Sequence, residues 1–155
     1  MNDRKPTALI AVSDQTGALV YSAVLEMYGF SVITAADGFA AADIALSIRP
    51  ALVVVDRLTS GLDGLSICRL LKARSGTARI PVLVLTSHDT PEERAAVIDS
   101  GADQVLVEPC APELLACEAR RLVQTSRAAA AQSDPGGYRR RRRDRENVNS
   151  EEPVR

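Results

Sequence analysis

The chain has 155 residues, of which 46% are hydrophobic and 25% charged, with a formal net charge of −1. That is the composition of one ordinary globular domain with a short remainder. Aromatic residues make up 3% with no Trp, too few rings for a base-stacking nucleic-acid platform. A single histidine, His88, and three cysteines, Cys68, Cys110 and Cys117, with no C-x2-C spacing exclude a Cys/His zinc cluster.

The apolar stretch that follows the first six residues is too short for a signal-peptide core or a membrane span. The cysteines lie in apolar or amphipathic context, so they are expected to be buried thiols of a soluble protein in a reducing cytoplasm.

In chain order, the apolar run at residues 8–12 predicts a first strand. Val20, Val24 and Met27 recur at helical spacing before Gly29, a suitable helix stop. Residues 31–34 predict a second strand, and Ala42, Ala45 and Leu46 a helix that ends before Pro50. Residues 52–55 are apolar without alternation, the pattern of a strand covered on both faces. Leu65, Cys68, Leu71 and Lys72 follow Gly64 as a third helix. A fourth strand is predicted at residues 82–85, then a helix over Ala95, Ile98 and Asp99 that stops at Gly101. The fifth strand is predicted at 104–107. Leu114, Leu115, Cys117, Glu118 and Leu122 mark a last helix that can continue through residues 128–131.

Five strands alternating with five helices predict an α/β protein with a parallel sheet. In such open sheets, ligand sites lie beyond the carboxyl ends of the strands. There the sequence places Ser13 and Asp14 after the first strand, Asp56 after the third, Thr86 and Ser87 after the fourth, and Glu108 and Pro109 after the fifth. Asp56 directly follows an apolar run, so its carboxylate stands either at the lip of the sheet as a reactive group or in the next loop as a turn or cap residue.

These residues carry a family resemblance. ALVVVDRLTSGLDGLSICRLLK (residues 51–72), with Asp56 followed seven residues later by Asp63-Gly64, resembles the third strand and helix of bacterial response regulator receiver domains. IPVLVLTS (80–87), ending in the hydroxyl residue Thr86, SGADQVLVEP (100–109) and YGFSVITAADGFAA (28–41) resemble the family's fourth, fifth and second strands with their flanks. The resemblance covers about residues 7–125. It implies the flavodoxin-like (βα)5 fold, five parallel strands in order 2-1-3-4-5 with helices on both faces. The division it implies is an N-terminal lead (1–6), a receiver-like domain (7–127), and a helix extension with a tail (128–155).

It also implies a non-enzymatic role in two-component phosphorelay signalling. A histidine kinase or a small phosphodonor would deliver a phosphoryl group to Asp56, and the partner would be that kinase or another signalling protein. Mg2+ held by Asp56 and an acidic pair after the first strand would neutralise it. The strand-four hydroxyl, Thr86, and a strand-five Lys would bind the phosphoryl oxygens, so that the chemistry is mostly positioning and charge neutralisation. At Pro109 the resemblance implies a cis bond. The family's pairing face, on helix four, strand five and helix five, would include Val97, Leu106 and Ala119 in a homodimer.

The chain departs from that pattern. Val12 and Ser13 align with the acidic pair, which weakens the expectation of Mg2+. Asp14 falls one residue late, where it either caps the first helix or substitutes as a metal ligand. Glu108 stands where the family has Lys. Two like charges about 4 Å apart repel by about 1 kcal/mol in water and about 4 kcal/mol at an effective dielectric near 20, so Glu108 should oppose phosphorylation. It could instead point to water, or join Asp14 and Asp56 as a three-carboxylate metal cluster.

Arg57 either supplies part of the missing positive charge or faces solvent. Val105 occupies the position of the family's switching aromatic, and Thr59-Ser60 that of its Met-Pro. The alternative to a phosphoaccepting receiver is therefore a phosphate-independent pseudo-receiver, a protein–protein interaction module of the same fold.

After about residue 132 the periodic pattern stops. Residues 134–155 hold 7 Arg and 5 acidic residues, leaving 12 basic and 15 acidic residues in the first 133. The run Arg139, Arg140, Arg141, Arg142 and Arg143 lies in a segment with too little apolar surface to offset ordering entropy, so it is expected to be disordered. Such a run either binds nucleic acid or another anionic partner through counterion release, or is simply solvated. With the body accounted for, no second folded domain is expected in the remainder.

Overall fold

A computed structural model describes residues 4–132; the arginine run at 139–143 and the rest of the tail lie outside the described residues. The elements alternate: β1 (Thr7–Ala11), α1 (Gln15–Met27), β2 (Ser31–Thr34), α2 (Gly38–Ile48), β3 (Leu52–Asp56), α3 (Gly64–Lys72), β4 (Val82–Thr86), α4 (Pro91–Asp99), β5 (Gln104–Val107) and α5 (Pro112–Gln132). The five strands pair in parallel in the order β2-β1-β3-β4-β5, the topology the sequence implied.

The side-chain period of two divides each central strand between two cores. Ala8, Ile10, Leu52 and Val54 point to one face, where Tyr21 and Leu25 of α1 and Leu115, Ala119 and Leu122 of α5 cover them. Leu9, Ala11, Val53 and Val55 point to the other, beneath Ala41 and Ala45 of α2, Ile67, Cys68 and Leu71 of α3 and Val97 of α4. This is why residues 52–55 are apolar without alternation: all four are fully buried.

Three helix faces differ from the sequence reading. On α1 the buried stripe is Tyr21 and Leu25, with Val24 and Tyr28 partly buried, whereas Met27 and Val20 are exposed. Apolar residues lie almost all round this helix, so two stripes fit the 3.6 period; the one spaced Tyr21–Leu25–Tyr28 is turned to the sheet. On α4 only Val97 is fully buried and Ile98 is exposed. On α5 the stripe is Leu115, Ala116, Ala119, Leu122 and Val123, with Leu114 and Cys117 outside it.

The thiol expectation is corrected accordingly: Cys68 is buried, Cys110 half-buried and Cys117 exposed. Burial pushes the Cys68 thiol up to about 11, so it is held as an inert core group. The expected pairing face is corrected too. Val97 and Ala119 are core residues and so cannot present a docking surface, whereas Leu106 is partly buried against the core.

Close packing at the head of α3 fixes the loop that follows Asp56. Asp63 caps α3 by accepting from the Ser66 N–H at 2.8 Å, and the next residue, Gly64, lies so close to the strand that a Cβ would meet the Asp56 carbonyl oxygen. That neighbour is backbone and cannot move aside cheaply. Gly64→Ala is therefore expected to cost about 1–3 kcal/mol, against the stabilisation of about 0.5–1 kcal/mol usual for Gly→Ala in a helix. A urea unfolding midpoint that stays level or rises would contradict this packing.

Candidate functional site

Polar residues at the carboxyl ends of β1, β3, β4 and β5 line one cleft of about 270 Å³: Ser13, Asp14, Asp56, Arg57, Thr86, Ser87 and Glu108, together with Leu58, Leu85 and His88. Parallel pairing brings them together. Ala11 is in register with Val55, Asp56 with Leu85, and Thr86 with Val107, so residues just beyond each strand meet at one edge. Pro109 follows the cleft on a cis Glu108–Pro109 bond, as the resemblance implied. Of the expected pocket residues, all of them described, it alone does not line the cleft.

Asp56 is half-buried at the end of β3. Its Oδ2 accepts two hydrogen bonds from Ser13, one from the backbone N–H at 2.8 Å and one from the hydroxyl at 2.5 Å. Among the described residues, nothing donates to Oδ1. Asp56 is thus neither a cap nor a turn residue: one oxygen is tethered and the other is open to the cleft.

Asp14 is the N-cap of α1. Its Oδ1 accepts from the Thr16 N–H at 3.3 Å and its Oδ2 from the Gly17 N–H at 3.0 Å. Val12 packs against the α1/α5 core. Among the described residues, no three His, Cys, Asp or Glu stand together as a metal-binding group, so the three-carboxylate cluster of Asp14, Asp56 and Glu108 is not formed. The donor chemistry explains why. A hard divalent cation needs oxygen acceptors; here Ser13 presents an N–H and an O–H to Asp56, and both Asp14 oxygens are turned to helix amides. The carboxylate acceptors left to the cleft are Asp56 Oδ1 and the Glu108 oxygens, a sparser oxygen set for Mg2+ than an acidic pair after β1 would supply.

Glu108 faces the cleft rather than bulk water. Burial raises its pKa above the ordinary 4.5, and the charges of Asp56 and Asp14 raise it further. The charge of Asp56 is thus felt at Glu108, the residue that stands where the family has Lys.

On the far side, Arg57 Nε lies 2.7 Å from Glu93 Oε1 in a partly buried ion pair, although its N–H is not aimed at a hydrogen-bond acceptor. The buried Thr86 hydroxyl donates to the same Glu93 oxygen at 3.4 Å and accepts from the His88 N–H at 3.2 Å. Arg57 is thus not simply solvent-facing. The Ser87 hydroxyl pairs with His88 Nδ1 at 3.2 Å. Val105 packs partly buried in the α2–α4 core, with no ring to move. Thr59 is buried, its hydroxyl donating to the Leu62 carbonyl at 2.6 Å.

Glu93 was missed by sequence reasoning. Its one signal was its place in Thr90-Pro91-Glu92-Glu93, where Thr90 caps α4 and accepts from the Glu93 N–H at 3.2 Å. That spacing ordinarily sends the acidic side chain back to the cap; here it reaches Arg57.

A parallel sheet in the order β2-β1-β3-β4-β5, with an acidic, hydroxyl-bearing cleft at its strand ends, is the flavodoxin-like architecture. The family model of the response regulator receiver domain matches residues 9–120, and the chain belongs to that family, whose members receive signals in two-component systems.

Among its relatives is the response regulator MprA of Mycolicibacterium vanbaalenii, 44% identical over 100 residues, or 64% of this chain and 42% of that protein. The chain thus spans about two-fifths of the length of that relative. The signal receiver domain of a signal transduction histidine kinase from Syntrophus aciditrophicus superposes with a TM-score of 0.72 at 29% identity, covering 77% of this chain and 91% of that one. The receiver domain of a Pseudomonas aeruginosa sensor histidine kinase, which has a magnesium ion coordinated in its active-site cleft, superposes with a TM-score of 0.72 at 24% identity, covering 78% and 99%; at that identity it supports the fold. No helix among the described residues is long and apolar enough to cross a membrane.

The raised Glu108 pKa has a testable sign. The folded state holds this proton more tightly than the unfolded chain does. Its stabilising contribution is therefore complete below the ordinary pKa of 4.5 and is lost as pH rises through the folded value. Glu108→Gln is expected to raise the unfolding midpoint at pH 7, with the gain fading as pH falls through the raised folded value and gone below 4.5. An unchanged or lower midpoint at pH 7 would contradict a Glu108 charge held against Asp56.

Proposed function

We propose that the chain is an atypical receiver that accepts a phosphoryl group on Asp56, from a histidine kinase or a small acyl phosphate, and signals in the cytoplasm through a protein partner rather than by turning over a substrate. The observation that carries this is the asymmetry of the Asp56 carboxylate: Oδ2 is fixed by Ser13 while Oδ1 stands open in a cleft that also holds the Thr86 hydroxyl. A tethered carboxylate with one free oxygen is positioned as a nucleophile, and phosphoryl transfer asks mainly for such positioning.

A second reading has its own observation. Glu108 places a desolvated negative charge where the phosphoryl charge would develop, which favours a phosphate-independent interaction module. Both readings leave the fold and the family unchanged; they differ in whether Oδ1 reacts.

Incubation with acetyl phosphate is expected to add about 80 Da, the mass of one phosphoryl group, to the intact protein and not to Asp56→Asn. No added mass under conditions that label an ordinary receiver would favour the second reading. Glu108→Lys is expected to raise the labelled fraction, because it replaces repulsion of the incoming phosphate by attraction. An unchanged or lower yield would show that Glu108 is not what limits the reaction.

A further inference from the structure

We propose that Arg57, rather than a divalent metal, is the cation that engages the phosphoryl group on Asp56, and that it does so by exchanging Glu93 for the phosphoryl oxygens. The inference rests on Asp56 being the phosphoacceptor.

The charge balance of the cleft points to it. The lining residues include three carboxylates, Asp14, Asp56 and Glu108, and Arg57 is the only Lys or Arg among them. The backbone of Arg57 is fixed: its N–H donates to the Leu85 carbonyl at 2.7 Å, and its own carbonyl accepts from the Gly64 N–H at 3.3 Å. Only the side chain is free to change partner, and it starts one residue from the reacting carboxylate.

Its present partner is a poor match. Nε is 2.7 Å from Glu93 Oε1, yet the N–H is not directed into a hydrogen bond although the atom is buried. Glu93 offers one negative charge in that misaligned contact. A phosphoryl group carries about −1.5 to −2 charges on three acceptor oxygens, and guanidinium binds such oxygens in aligned pairs. The exchange thus replaces an incomplete ion pair by a complete one.

In the step itself, Asp56 Oδ1 attacks the phosphorus of an acyl phosphate. A new P–O bond forms, the bond from phosphorus to the acyl oxygen breaks, and the carboxylate leaves with that electron pair. With phosphohistidine as donor, the broken bond is P–N and imidazole leaves. Arg57 faces the phosphoryl oxygens throughout, where its charge offsets Glu108.

The exchange also has an output. Glu93 sits in the first turn of α4 and accepts from Thr86 as well as pairing with Arg57. Losing Arg57 therefore frees the N-terminal end of α4 from the loop after β3.

The test is labelling by acetyl phosphate, followed by intact mass, in excess EDTA and in Mg2+, for the wild type, Arg57→Ala, Glu93→Gln and Asp56→Asn. Labelling of the wild type is expected to persist in EDTA. Arg57→Ala is expected to lower the labelled fraction about tenfold or more, the size of one lost charge-assisted contact. Glu93→Gln, which leaves the guanidinium in place and releases it, is expected to raise the rate. Wild-type labelling that vanishes in EDTA, Arg57→Ala labelled like the wild type, or Glu93→Gln no faster than the wild type would each overturn the proposal while leaving Asp56 as acceptor. A wild type unlabelled in both conditions would remove the Asp56 reading, and this proposal with it.

Discussion

Two hydrogen bonds from one residue, the Ser13 N–H and O–H to Asp56 Oδ2, set the character of the whole cleft. They exist because β1 and β3 are neighbours in register, Ala11 beside Val55, so the first turn after β1 arrives against the last residue of β3. A carboxylate at Ser13 would repel Asp56 and require a cation between them. A serine donates instead, and satisfies the Asp56 oxygen without one. Everything else at the site follows from this substitution of donors for charge: the free Oδ1, the weak case for a metal, and the need for positive charge from elsewhere.

The neighbouring groups divide that need unequally. Asp14 is spent on the helix amides of Thr16 and Gly17, so it adds negative potential without acting as a ligand. Glu108 adds more; burial first, and then the charges of Asp56 and Asp14, raise its pKa. Arg57 is the counterweight, parked on Glu93, which in turn receives the Thr86 hydroxyl. Two cleft residues, Arg57 and Thr86, thus meet Glu93 of α4, while Val105 is packed against the core where the family resemblance implies a moving ring. A readout through Arg57 and Glu93 suits a chain without that ring.

The fold was legible in the sequence because apolar runs such as residues 52–55 admit one environment, the middle of a sheet covered on both faces. Asp56, Thr86 and Glu108 were legible for the same reason: they are the first polar residues beyond such runs. Helix faces were less so. In α1, Val20, Tyr21, Val24, Leu25 and Met27 satisfy two stripes equally, and only packing against the sheet selects Tyr21 and Leu25. The Ser13 tether and the Arg57–Glu93 pair were beyond reach of local pattern, since each joins residues far apart in the chain. Asp14 shows the intermediate case: its spacing allowed a cap or a ligand, and the geometry made it the cap.

The central proposal, that donors from Ser13 take the place of a metal at Asp56, is tested most directly by titrating the protein with Mg2+ and following the Ser13 backbone amide by nitrogen–proton NMR. With its N–H already bonded to Asp56 Oδ2, that resonance should show no saturable shift across the millimolar range. A saturable shift of the Ser13 amide, shared by Asp56 and Glu108, would show that the cleft holds the ion and that the tether gives way to it.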